Sequence, residues 1–136
     1  IKNNATAGIL IASYQDEAED KNYNPIASNI FIHGNTLINN GFNVDKVRAS
    51  PISEVIKGKA PDIIWDGVVP LIEWIGLRSS KRIILGDNYS DSNTPVFANL
   101  KLMTKFLISS LHKVDTSYEN YRGELESIGP VIFEKD

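Results

Sequence analysis

Apolar residues in this chain come in short runs, separated by longer amphipathic or polar stretches. No other feature restricts the fold as much. A brief, near-continuous apolar run bounded by turn residues reads as a strand buried on both faces. Strands that alternate with helix-length stretches read as βαβ units with parallel pairing. Five strands are expected: Gly8–Ser13 (GILIAS), Phe42–Ala49, Asp62–Trp65 (DIIW), Arg82–Leu85 (RIIL) and Val131–Phe133.

The intervening stretches carry helix signals. Asn24-Pro25 supplies a cap and a first-turn proline, Ile26, Ile30, Leu37 and Ile38 share a face, and Asn40-Gly41 supplies the stop. Ser50-Pro51 starts a short helix through Ile52, Val55 and Ile56, and Val68–Ser79 forms another. Thr94-Pro95 opens a helix with Val96, Leu100, Met103, Leu107 and Leu111 at helical spacing. The capping box Thr116-Ser117-Tyr118-Glu119 starts a last helix, which Gly129-Pro130 ends. No internal repeat, low-complexity tract or linker is visible. The pattern predicts one α/β domain over 1–136: a flavodoxin-like (Rossmann-like) three-layer sandwich on a mostly parallel five-stranded sheet, ordered 2-1-3-4-5.

Composition narrows the function classes. A chain of 136 residues fits one domain and needs no staple, and the absence of cysteine excludes disulfides, thiolate metal sites and a cysteine nucleophile. A net charge of −3 argues against a nucleic-acid partner or an anionic membrane, and no apolar run approaches a membrane span. Cysteine-free composition fits the cytoplasm, although Ile1 at the start suggests a processed chain or an excised segment. A homo-oligomer and a larger parent chain are both compatible with these numbers.

In an open parallel sheet, ligands bind beyond the carboxyl ends of the strands. That rule selects Ser13, Tyr14 and Asp16 after the first strand, Asp66 after the third, and Asp87, Asn88 and Tyr89 after the fourth. No glycine-rich phosphate loop follows any strand, and His33 and His112 lack metal-ligand spacing, so neither cofactor nor metal is expected. Glu73, the single acid in the apolar helical stretch 71–77, lies either on an exposed strip or buried with a raised pKa.

ILIASYQD (9–16) resembles the opening strand and aromatic loop of the nucleoside 2-deoxyribosyltransferase family. ILGDNYSDSNT (84–94) is similar to that family's aspartate-rich loop. The family's nucleophilic glutamate would fall near Phe97, and sliding the match over IEWIGLRSSKRIIL (72–85) gives that role to Glu73. The resemblance implies N-glycosidic chemistry: Glu73 attacking the sugar, Asp66, Asp87 and Asn88 holding hydroxyls, and Tyr14 or Tyr89 stacking on the base. PDIIWDGVVP (61–70) also resembles the phosphoacceptor strand of response-regulator receiver domains, but Ser13 and Tyr14 stand where the acidic pair belongs. The expected function is therefore binding of a small polar, nucleoside-like or nucleotide-like ligand, with cleavage or transfer of an N-glycosidic bond. The competing expectation is a non-catalytic regulatory or protein-interaction domain, or one lobe of a larger protein.

Overall fold

A computed structural model describes residues 1–14, 20, 22–44, 58–91 and 94–125. Its strands are β1 (Ile9–Ile11), β2 (Ile30–Ile32), β3 (Thr36–Leu37), β4 (Ile63–Trp65), β5 (Ile83–Leu85), β6 (Tyr89–Ser90) and β7 (Phe97–Asn99). Its α-helices are α1 (Leu71–Trp74) and α2 (Leu102–Leu107). The chain is thus α/β in the coarse sense, and among the described residues the strands pair in parallel and helices are few.

The strands do not lie in one five-stranded sheet. They fall into three sheets, β1-β4-β7, β2-β5 and β3-β6, and all pairs are parallel. Consecutive strands visit the three sheets in rotation. The first circuit is β1, β2, β3, the second is β4, β5, β6, and β7 begins a third. The path is a coil whose turns stack, the arrangement of a parallel β-solenoid. Isolated bridges carry the stacking further, with Lys2 beside Ile38 and Leu85 beside Arg122.

The register also reveals a repeat. Ile30, Phe31 and Ile32 pair with Ile83, Ile84 and Leu85, while Thr36 and Leu37 pair with Tyr89 and Ser90. IFIHGNTL (30–37) therefore lies on IILGDNYS (83–90) without a gap. Only two of the eight aligned positions are identical, Ile30/Ile83 and Asn35/Asn88, so the repeat is nearly hidden at the level of residue identity.

Alternation along the strands builds the core. Ile32, Ile83 and Leu85 turn inward and join Ile11, Leu37, Ile63, Trp65 and Phe97 in one buried cluster. The middle strand β4 is buried on both faces, as expected for DIIW. Its Ile64 packs in a second cluster with Ala60, Val68, Ala98, Leu100 and Leu102. Each buried Leu, Ile, Val or Phe side chain among these contributes roughly 1.5–3 kcal/mol by leaving water.

The helix expected over 24–40 is replaced by β2, β3 and their turns. Asn29, Gly34, Asn39 and Gly41 all take positive φ, which no right-handed helix accommodates. Gly41 has no alternative, since a Cβ there would lie 2.2 Å from the Ala60 carbonyl oxygen. The helix expected from Thr94 begins instead with β7. A left-handed Lys101 (φ 47°) then separates that strand from α2. The last expected helix contributes one 3₁₀ turn, Glu119–Tyr121, within the described residues. The strands expected at 131–133 and over most of 42–49, and the helix at 51–57, lie outside the described residues.

Asn88 ties successive turns together. Its Nδ2 donates to the carbonyls of Ile32 (2.9 Å) and Gly86 (3.1 Å), and its Oδ1 accepts from Asn35 N (3.1 Å) and Nδ2 (2.9 Å). Tyr118 Oη completes the cluster, donating to the Gly86 carbonyl at 2.7 Å. Truncating Asn88 strands buried polar groups, each costing about 1–3 kcal/mol. Asn88→Ala should therefore lower the unfolding free energy by about 2–3 kcal/mol in chemical denaturation, and an unshifted midpoint would contradict this role.

Candidate functional site

In a coil, the carboxyl ends of strands from different sheets lie at different corners, and this separates the residues expected to share one rim. β1 and β4 end at the first corner, which holds Ser13, Tyr14 and Asp66. The Asp66 carboxylate, buried in this corner, accepts hydrogen bonds from the backbone amides of Ser13 and Val68. Its own carbonyl accepts from Leu102 N at 2.8 Å. Gly67 packs so closely that a Cβ would meet Asn99 Oδ1 at 2.0 Å. Ser13 Oγ accepts from Ala27 N (3.3 Å), which anchors the approach to β2. Tyr14 is exposed and holds the Pro25 carbonyl through its backbone amide. These groups brace the turn, and Asp66 and Ser13 have their polar atoms engaged in doing so. Asp16 lies outside the described residues.

The second corner follows β2 and β5 and holds Asp87, Asn88 and Tyr89. Asn88 is committed to the ladder described above. Asp87 and Tyr89 instead line an open groove of about 640 Å³, together with Phe31, His33, Arg122 and Glu124. Phe31 and His33 stack with ring centroids 4.4 Å apart and planes inclined by 18°. The Phe31 ring edge and the His33 Cβ lie against Gly86, where a Cβ would come within 2.9 Å of each. Gly123 continues the floor, donating its amide to the Leu85 carbonyl at 3.1 Å. Arg122 spans Asp87 (3.1 Å) and Glu119 (3.3 Å), and those carboxylates, Glu119 foremost, raise its pKa. Of the expected site residues, the structure therefore brings Asp87 and Tyr89 together and leaves Ser13, Tyr14 and Asp66 at the other corner.

Reading the residues in order did not single out Phe31, His33, Arg122 or Glu124. The hidden repeat carries the missing signal, because its register places His33 directly beside Gly86 in the next turn. His112 is engaged elsewhere, its Nε2 lying 2.7 Å from the Leu100 carbonyl oxygen. Among the described residues, no three His, Asp or Glu side chains gather as a metal site would require.

Glu73 belongs to neither corner. It lies in α1, and Arg82 grips it with two parallel bonds, Nε to Oε2 (2.7 Å) and Nη2 to Oε1 (2.8 Å), while Ser80 Oγ donates a third at 2.9 Å. Both charged side chains are largely buried, at 8% and 10% exposure. The Arg82 bonds lower the Glu73 pKa and outweigh desolvation. Such a carboxylate is a poor nucleophile, and its contacts pin α1 to the segment entering β5. Comparison with family models, with curated proteins and with solved structures finds no match.

A lowered folded-state pKa means that the pair's contribution is fully present above the ordinary value of 4.5 and is lost as pH falls through the folded value. The melting temperature should therefore drop on acidification below that point. Glu73→Ala should cost about 3–5 kcal/mol at neutral pH, because Arg82 is left buried and unpaired, and should flatten the acid limb of the stability profile. A variant as stable as the parent would refute the structural role.

Proposed function

We propose that this chain binds a small polar ligand bearing a sugar-like or nucleoside-like moiety in the groove beside β2 and β5. The stacked Phe31–His33 pair beside Gly86 carries this reading. Ring faces bury the apolar side of a sugar or a planar base, and flanking polar groups fix its orientation. Asp87 and Glu124 can accept from hydroxyl groups, Arg122 can donate, and Tyr89 supplies a further exposed ring at the rim. Carboxylates slightly outnumber cations along these walls, which favours a neutral polyhydroxylated ligand.

Cleavage or transfer of an N-glycosidic bond would need a carboxylate at the anomeric carbon. In this reading Asp87 or Glu124 serves, and Glu73 is a structural residue. Thermal-shift measurements with deoxynucleosides, nucleotides and free sugars test the binding. A ligand at a hundredfold excess over its dissociation constant should add about 2.7 kcal/mol of stability. His33→Ala and Asp87→Ala should each weaken binding roughly tenfold, equivalent to about 1.4 kcal/mol, and chromatography of the products would reveal any released base. Absence of any stabilising ligand, or shifts indifferent to both substitutions, would overturn the proposal.

A second reading, a protein-interaction domain, is favoured by one observation. Trp74 Nε1 donates to Thr104 Oγ1 (3.0 Å), tying α1 to α2. Leu71, Ile72, Ile75 and Leu77 in and after α1, and Phe106 and Leu111 in and after α2, remain exposed. Arg78, Lys81 and Lys113 flank the patch in sequence and are exposed as well, which suits a partner helix that is apolar on one face and acidic at its margins. A labelled peptide of that design should bind, its basic-flanked counterpart should not, and Leu77→Asp should abolish the difference.

A further inference from the structure

The groove beside β2 and β5 has a direction. Its lining residues come from three successive turns of the coil: Phe31 and His33 from the first, Asp87 and Tyr89 from the second, Arg122 and Glu124 from the third. The pairing of Ile32 with Leu85 and the bridge from Leu85 to Arg122 fix that order. Two strand spacings of about 4.8 Å separate the outer turns, so the groove runs for about 10 Å along the coil axis.

Glycine keeps it open. Gly86 and Gly123 each follow one member of the bridged pair Leu85–Arg122, and neither has a positive φ. Backbone conformation therefore does not demand glycine at either position. Space does: a Cβ on Gly86 would lie 2.9 Å from the Phe31 ring edge and from the His33 Cβ, and one on Gly123 would lie 3.1 Å from Ile84 Cγ2. Bare backbone on two adjoining turns leaves a channel across the strands, open to close approach by a ligand. Phe31 and His33 offer aromatic surface at its first turn, and Tyr89, 60% exposed, offers a ring at the second. The carboxylates of Asp87 and Glu124 stand on the second and third turns. Arg122, the one Lys or Arg among the described lining residues, is paired with Asp87 and Glu119, which leaves no guanidinium free for a phosphate or a uronate.

We infer that the ligand of this groove is an uncharged oligosaccharide of two or more rings, laid along the coil axis from the Phe31–His33 pair past Asp87 and Tyr89 to Glu124. The inference rests on the sugar-like reading of the groove and narrows it to a chain. Rings in an extended sugar chain repeat at nearly the distance between strands in a sheet, so successive turns meet successive rings. Acceptors on adjoining turns then face hydroxyl groups on adjoining rings, a match that a single nucleoside cannot make. The groove's 640 Å³ corresponds to about twenty waters at roughly 30 Å³ each, more than one sugar ring displaces.

Calorimetric titration of the full chain tests this with β-1,4-linked oligomers of glucose, xylose, mannose and N-acetylglucosamine, each from one ring to four. Tetragalacturonate and deoxyadenosine serve as the charged and the nucleoside comparisons. In at least one uncharged series the affinity should rise about tenfold from one ring to three and change little with a fourth. Glu124 is exposed and lies on the third turn, so Glu124→Ala should leave the fold intact and weaken the three-ring ligand about tenfold. Equal affinity for one ring and three, or tighter binding of deoxyadenosine or tetragalacturonate, would overturn the inference while leaving a small-ligand groove in place. Three-ring binding indifferent to Glu124→Ala would overturn it too. Silence from every ligand would remove both the inference and the reading beneath it.

Discussion

Strands of two or three residues cannot hold their place by ladder hydrogen bonds alone, so the register between successive turns of the coil is the constraint on which the rest depends. Inward-facing Ile32, Leu37, Ile63, Ile83, Leu85 and Phe97 supply the burial. Burial is non-directional and would tolerate a slip by two residues, which keeps the same side chains inside. Asn88 removes that freedom, because its amide must meet Ile32, Gly86 and Asn35 at once. A slipped register would leave it buried with partners out of reach.

This architecture decides where chemistry can occur. In a single open sheet, the carboxyl ends of all strands face one crevice, and polar residues after each strand converge. In a coil each sheet has its own corner. Asp66 and Asp87 both follow buried strands, yet Asp66 is consumed in bracing the β4 turn while Asp87 faces an open groove beside Arg122. Arg122, paired with Asp87 and Glu119, lines both this groove and a smaller cleft beside Trp65 and Tyr121.

Much of the strand content was legible in the sequence. GILIAS, DIIW and RIIL each contain a strand, because compact apolar runs of that kind have few other ways to be buried. The residues between 24 and 40 misled for a physical reason. Ile26, Ile30, Leu37 and Ile38 happen to fall at helical spacing, whereas the decisive residues are Asn29, Gly34, Asn39 and Gly41, whose left-handed conformations turn the chain every few positions. The site was legible only in part. Asp87 and Tyr89, which the strand-end rule selects, do line the candidate groove. Phe31 and His33 gain their meaning from Gly86 in the next turn of the coil, and only the register exposes that relation.

The central claim is the pairing of one turn on the next, and cysteine chemistry reads it directly because the native chain contains no cysteine. Thr36 and Tyr89 are register partners and both are exposed. Neighbouring strands lie about 4.8 Å apart, within the span that a disulfide bridges. The double variant Thr36→Cys/Tyr89→Cys should oxidise to an intramolecular disulfide in dilute solution, whereas Thr36→Cys/Glu119→Cys, which are not register partners, should stay reduced. Failure of the first pair to close while the protein remains folded, or equal closure of both pairs, would contradict the stacked coil.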